Sequence, residues 1–297
     1  LSLALWGARG FPSCGQGVSF RLREEYAGPP VALRIGGKAL PEGGPEGAPV
    51  DNSLRAGVEA MGAPQCGPAT ANPFLPWFGN ATMQWDVSGT KLLIDPFFKG
   101  NPAASTTADQ VSPDYILISH GHGDHVGDAV SIAKRTHATV ISNAEIIGWF
   151  ARQGVENGHA QHIGGGYRYP FGYLKLTLAI HGSALPDGSN GGNPVGFLLA
   201  AENKKVYIAC DTGLFGDMKL IGDEGLDLAV LPIGDNYTMG PADALRAVKL
   251  LQPKNVIPVH YNTWDLIAAD PVEWARHVEL ETTTKAHVIK PGQTYTV

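Results

Sequence analysis

Residues 115–125 read YILISHGHGDH, an unbroken apolar run followed by four side chains of metal-ligand type within six positions. Such a run predicts a buried strand, so His120, His122, Asp124 and His125 emerge where it ends. With 10 histidines and 16 aspartates among 297 residues, chance places this pattern in about one chain in two thousand. Imidazole and carboxylate together suit Zn, Mn or Fe. Gly121 and Gly123 are expected to let the backbone turn tightly, so that His120 and His122 face one ion while Asp124 and His125 face another.

On either side the chain alternates β-rich runs with helical patterns. ATMQWDV (81–87) and KLLID (91–95) form a predicted hairpin across Ser-Gly-Thr, stopped by Pro96. After the HGHGDH run, DAVSIAKRT (128–136) reads as a helix and ATVIS (138–142) as a strand. NAEIIGWFARQG (143–154) reads as a helix capped by Asn143 and stopped at Gly154. Further strands are expected at YLKLTLAI (173–180), GFLLAAE (196–202), KKVYIAC (204–210), LDLAVLPI (226–233), NVIPV (255–259) and AHVI (286–289). Helices led by proline are expected from Pro241 to Leu251 and within 271–281. Each half gives strands first and helices later. The class is α/β, with two sheets packed face to face and helices outside.

Three more candidate ligands stand directly after apolar strands: His181, Asp211 and His260. Carboxyl ends of strands are where α/β folds collect their sites. His137, His159, His162, His277 and His287 lack that placement and are expected away from the centre. Cys210 should point into the core.

Acidic residues outnumber basic ones 28 to 22, a formal net charge of −6. This leaves no general attraction to nucleic acid or anionic membrane. No stretch approaches the roughly 20 apolar residues of a membrane span, and LSLALWGARG at the start lacks the basic region of a signal peptide. Three cysteines without CxxC spacing fit a reducing cytoplasm, although a Cys14–Cys66 bridge stays open. Residues 1–74 carry the breaker cluster PEGGPEGAP (41–49) and read as a mostly irregular Gly/Pro-rich extension, either a poorly packed tail or a substrate-covering cap. Residues 75–297 form the predicted domain.

HxHxDH followed by separate His, Asp and His ligands resembles the metallo-β-lactamase fold superfamily. Over LLIDPFFKGNP (92–102), ILISHGHGDHVGDAVSIAKRT (116–136), ACDTGLFGDMKLIG (209–222), LPIGDNYTMGPADA (231–244) and VIPVHYNTW (256–264), the chain is similar to a branch of uncharacterised metal-dependent hydrolases related to ascorbate-6-phosphate lactonase. The resemblance implies a four-layer αββα sandwich with two divalent ions, Zn or Mn. His120, His122 and His181 would hold one ion, Asp124, His125 and His260 the other, and Asp211 would bridge. It also implies that Asp95 supports the HGHGDH run, the alternative being a turn Asp before proline. Relatives usually carry Gly-His-Ser/Ala where this chain has Gly79-Asn80-Ala81, so a substrate role for that His is in question. Asp235, Asn236, Tyr237 and Thr238 should lie at the rim, binding substrate or shaping the loop.

A pair of divalent ions roughly 3.5–4 Å apart can hold a bridging hydroxide and stabilise an oxyanion. The expected reaction is hydrolysis of an ester, lactone or phosphoester of a small molecule, with Asp124 or Asp211 as proton acceptor. Homo-oligomerisation is left open. Di-iron redox chemistry is disfavoured by His122 where that branch places Glu. RNA processing is disfavoured by the 49 positions between Asp211 and His260, too few for an inserted nuclease domain. A non-enzymatic metal-binding or regulatory protein is the remaining alternative. Substrate choice is assigned to loops such as 182–194, whose glycines predict mobility.

Overall fold

The computed structural model describes residues 73–297. All but the last two positions of the Gly/Pro-rich extension, and the Cys14–Cys66 pairing, lie outside the described residues. The first sheet is built from β1 (Phe74–Gly79), β2 (Thr82–Val87), β3 (Thr90–Ile94), β4 (Tyr115–Leu117), β5 (Thr139–Ser142), β6 (Gly158–Ala160) and β14 (Thr294–Thr296), in the order β14-β1-β2-β3-β4-β5-β6. The second contains β7 (Gly166–Tyr169), β8 (Gly172–Leu178), β9 (Val195–Ala201), β10 (Lys204–Ile208), β11 (Leu228–Pro232), β12 (Asn255–Val259) and β13 (Lys285–Ala286), in the order β13-β12-β11-β10-β9-β8-β7. Each sheet begins as an antiparallel meander and continues as parallel strands.

The hairpin turns follow from local chemistry. Ser88 and Gly89 have φ of 50° and 81°, and Glu202 and Asn203 have φ of 50° and 61°. Two left-handed residues in succession give the turn whose twist matches the flanking strands. Side-chain alternation then sorts the two faces of the first sheet. Leu92, Ile94, Leu117 and Ile141 enter one core with Leu176, Phe197, Leu199 and Ile208 of the second sheet. Leu93, Ile116, Ile118 and Val140 instead pack with α2 (Ala129–Thr136) and α3 (Ala144–Arg152) through Ile132, Ala133, Ile146 and Phe150. On the second sheet, α5 (Pro241–Leu251) packs on β11 and on α6 (Pro271–Glu281), and α4 (Met218–Gly222) packs on α5. The result is the αββα sandwich. Among the described residues no helix is long and apolar enough to cross a membrane.

Several elements escape the sequence reading. β1 contains Pro76, which breaks the strand signal, yet it pairs on both sides, with β2 and with β14. AHVI shortens to β13 as the chain leaves the second sheet, and β14 closes the first. β6, β7 and α4 are short, and β6 and β7 open on glycine.

Asn143 joins a helix to the glycine-rich segment. Its Oδ1 accepts from Ile146 N at 2.9 Å, capping α3, while Nδ2 donates to the carbonyls of Gly191 (2.7 Å) and Asn193 (3.0 Å). The 182–194 segment is therefore tied down, and Gly191 and Gly192 allow close approach: a Cβ on Gly191 would stand 2.6 Å from Ser183 O. Asn143→Ala removes a helix cap, worth about 1 kcal/mol, and strips a donor from two carbonyls. We expect a loss of about 2–4 kcal/mol in chemical denaturation. A loss under about 0.5 kcal/mol would show that water replaces the amide.

Candidate metal centre

Every predicted ligand converges at one edge of the sandwich, where strands of both sheets end. The HGHGDH run is part extended and part helical: His122 lies in extended chain, and Asp124 and His125 on the one-turn helix α1 (Gly123–Val126). The change of backbone direction aims the two parts differently. Neither Gly121 nor Gly123 has a left-handed φ. Gly121 is required instead by packing, since a Cβ there would stand 3.0 Å from Leu185 Cγ and 3.1 Å from the Ala184 carbonyl carbon.

Asp95 forms the floor. It is fully buried with a left-handed φ of 44° directly after β3. Its Oδ1 accepts from Ser119 N (2.8 Å), and its Oδ2 accepts from Ser119 Oγ (2.6 Å) and from His125 Nδ1 (2.9 Å). Having donated to Asp95, the Ser119 hydroxyl accepts from His120 Nδ1 at 2.9 Å. Protons are thereby fixed on the Nδ1 atoms of His120 and His125, leaving Nε2 of each ring for a ligand, the usual role of an outer hydrogen-bond partner at a metal site.

Asp211 occupies the middle. Its Oδ2 stands 3.1 Å from His260 Nε2, 3.3 Å from His125 Nε2 and 3.6 Å from His181 Nε2. Asp124 Oδ2 lies 3.4 Å from His125 Nε2 and 3.8 Å from His260 Nε2. The ligand atoms of His120, His122 and His181 lie within 4.8 Å of one another; so do those of Asp124, His125 and His260, and those of His120, His125 and Asp211. Asp211 Oδ1 and His260 Nδ1 are buried without a hydrogen-bond partner, and the Nε2 atoms of His125 and His260 make no aligned hydrogen bond to the carboxylates beside them. Orphaned buried polar atoms are costly, and these belong to a nitrogen and oxygen donor set suited to a divalent cation. The residues fit such ions.

Charge coupling is strong. Burial alone would raise the carboxyl pKa of Asp211, but His260 and His125 outweigh it and hold the group well below the usual carboxylate range. Asp124 is lowered in the same way, chiefly by His125 against its own burial. Burial opposes the charge on His125, yet Asp211, Asp124 and Asp95 raise its pKa well above the ordinary value. His260 is raised to about 9 because Asp211 and Asp124 overcome its burial. His120 is lowered by burial and then by the charge of His125, and His181 by burial.

Sequence reasoning misses the buried frame around these groups. Asn80, fully buried at φ 52°, donates from Nδ2 to Asp124 Oδ2 (3.2 Å) and accepts at Oδ1 from Thr263 Oγ1 (3.0 Å). Its carbonyl accepts from Trp77 Nε1 (2.9 Å) and from His260 N (3.1 Å). Asn80 thus holds two predicted ligands. Cys210 is buried, with its thiol pKa pushed up by burial and by Asp95 and Asp211.

A cavity of about 510 Å³ opens over the centre, lined by His122, Asp124, His181, Asp211 and His260 together with Tyr237, Trp264 and Leu266. No residue of the 182–194 segment lines it. That segment is pinned by Asn143 and by the bond from Trp149 Nε1 to Asp187 Oδ2 (2.9 Å). Asp235 shapes its own loop, accepting at Oδ1 from Asn236 N (2.9 Å), while Tyr237 reaches the cavity. His137, His159, His162, His277 and His287 stand outside the donor groups.

Residues 90–261 match the family model described as a beta-lactamase superfamily domain. A UPF0173 metal-dependent hydrolase of Desulforamulus reducens is 50% identical over 226 residues, 74% of this chain and 97% of the relative. One of Bacillus cytotoxicus is 46% identical over 227 residues, 74% of this chain and 98% of the relative. Among solved structures, Igni18, a novel metallo hydrolase from Ignicoccus hospitalis, superposes with a TM-score of 0.71 at 37% identity, covering 76% of this chain and 99% of its own.

Two outcomes follow from this geometry. An amide at position 95 cannot accept from all three donors that Asp95 serves, so Asp95→Asn should weaken metal affinity about 10–100-fold in a chelator competition. Unchanged affinity would remove Asp95 from the ligand frame. His260 raised to about 9 stabilises the metal-free chain fully below its unfolded value near 6.5, and that contribution is lost as pH climbs through 9. The melting temperature of chelator-treated protein should therefore fall from pH 6.5 to 9, whereas metal-loaded protein, which needs neutral rings, should not follow it. Parallel profiles for the two forms would contradict the coupling.

Proposed function

This chain belongs to the beta-lactamase superfamily, as a metal-dependent hydrolase, and we propose that it uses two divalent cations, Zn or Mn, to cleave an ester, lactone or phosphoester bond of a small molecule. The carrying observation is the pair of donor triads joined through Asp211 Oδ2. His120, His122 and His181 would hold one cation and Asp124, His125 and His260 the other, with Asp211 placed between the two groups. When bound, the cations supply Lewis-acid polarisation of the scissile group and water activated near neutral pH.

The side chains divide the remaining work. Asp211 is 4% exposed and enclosed by three imidazoles, so it holds the two halves of the site together. Asp124 keeps 25% of its side chain exposed to the cavity and has its Oδ2 steadied by Asn80. It is the group placed to take a proton from the attacking water and return it to the leaving oxygen. As a carboxylate it is ionised at neutral pH for the first of those steps. Ser119 and Asp95 keep His120 and His125 in the tautomer that presents Nε2. The cytoplasm is the proposed compartment.

Protein loaded with Zn or Mn should hydrolyse members of a panel of lactones, esters, thioesters, phosphomonoesters and phosphodiesters. His122→Ala and Asp211→Ala should each abolish nearly all of that activity, and full retention in either sinks the two-metal reading. Asp124→Asn should keep measurable metal by elemental analysis while lowering kcat about 10²–10⁴-fold.

A further inference from the structure

The cavity has two unlike walls. One is the donor cluster; the other is Tyr237, Trp264 and Leu266, which are 53%, 39% and 66% exposed. Large apolar side chains grouped at a site mouth mark the place where a ligand removes them from water. Their exposure is built in. Asp235 and Asn236, with φ of 61° and 51°, turn the chain immediately before Tyr237. After His260, Asn262 ties down the next loop: its N donates to Ile267 O (2.9 Å), its Nδ2 to Ala269 O (3.0 Å), and its Oδ1 accepts from Ala269 N (2.9 Å). Ile267 is buried, which leaves Leu266 facing outward, and the Trp264 ring lies against Phe97 with centroids 6.2 Å apart.

Among the described residues no lysine or arginine lines this cavity, and the charges that do are carboxylates and imidazoles. Cations at the donor cluster would be engaged by the scissile group, and recognition of a further phosphate or carboxylate on a substrate ordinarily uses guanidinium, ammonium or clustered backbone N–H donors. We propose that the substrate is an uncharged carboxylic ester or lactone whose hydrocarbon part lies on Tyr237, Trp264 and Leu266, rather than a phosphorylated compound. This rests on the hydrolytic reading above and narrows it. In the reaction the water oxygen bonds to the acyl carbon and the acyl C–O bond breaks. The proton taken up by Asp124 passes to the leaving oxygen, giving one acid and one alcohol.

A matched series separates the possibilities: 2-naphthyl acetate, butyrate, hexanoate and phosphate, offered to the metal-loaded full chain. Burial of a methylene is worth about 0.8 kcal/mol when complete, so partial burial of four should raise kcat/KM about tenfold or more from acetate to hexanoate, with the phosphate poorest. Trp264→Ala and Leu266→Ala should each flatten the chain-length preference, mainly through KM, and Leu266→Lys should move preference toward the phosphate. Binding of the neutral probe N-phenyl-1-naphthylamine to chelator-treated protein, read by fluorescence, should weaken in Leu266→Lys. The proposal is overturned if the phosphate is the best substrate, if chain length has no effect, or if both alanine variants keep the full preference. Absence of turnover across the whole series contradicts the hydrolytic reading instead. The probe titration then decides the wall alone: binding that Leu266→Lys leaves unchanged overturns it.

Discussion

The centre depends on one buried carboxylate. Asp95 sits where β3 ends, carries no solvent exposure, and satisfies its charge by accepting from Ser119 N, Ser119 Oγ and His125 Nδ1. A buried carboxylate without such partners would be prohibitively costly, so fold and site cannot be separated there. Its left-handed φ of 44° costs about 1 kcal/mol for a residue with a Cβ. The same conformation recurs at Cys210 (φ 52°), directly before Asp211, and at His260 (φ 52°). Three strand ends in two sheets use one device: the chain leaves its strand by a sterically unfavourable turn that swings a polar side chain across the edge. Strain of this kind persists only where surrounding contacts over-determine it, and here the Asp95 bonds and the Asn80 carbonyl to His260 N supply them.

That arrangement gathers carboxylates and imidazoles so tightly that their charges must be settled collectively. The raised His125 and His260 and the lowered Asp124 and Asp211 describe one coupled system in which protons occupy positions that suit cations. His120, farther from the carboxylates and buried, goes the other way and stays neutral. The division matters for assembly: the neutral rings are ready to ligate, whereas the charged ones must first lose protons, which makes cation uptake and pH two views of the same equilibrium.

How much of this was legible follows from the range of each interaction. HGHGDH and the three strand-end ligands could be read because a run such as YILIS or NVIPV announces its own end, and position at that end is a local property. The hairpin turns and proline-led helices were legible for the same reason. β1 was hidden because Pro76 breaks the local pattern while β2 and β14 supply the pairing from both sides. Asn80 stood out as a departure from the usual His, but its place in the frame was hidden because its partner Thr263 lies 183 positions away. The glycines of 182–194 divide by role: Gly191 against Ser183 and Gly192 against Glu145 mark close approach, whereas Gly188 meets nothing and has φ 78°, and composition alone does not distinguish a glycine needed for freedom from one needed for space.

The cavity's second wall follows from topology. β11 and β12 are adjacent parallel strands, so the loops after them emerge side by side, and Tyr237 and Trp264 belong to those two loops. Neither side chain contributes to the donor triads, yet each stands against the same cavity. The frame that fixes the ligands runs through Asp95, Ser119 and Asn80, all three from the opposite sheet. Thr263, next to Trp264, ties the second of these loops to that frame by donating to Asn80 Oδ1. The donor groups are gathered at the sheet edges, and the wall on which we propose the substrate rests is supplied by two loops of the second sheet.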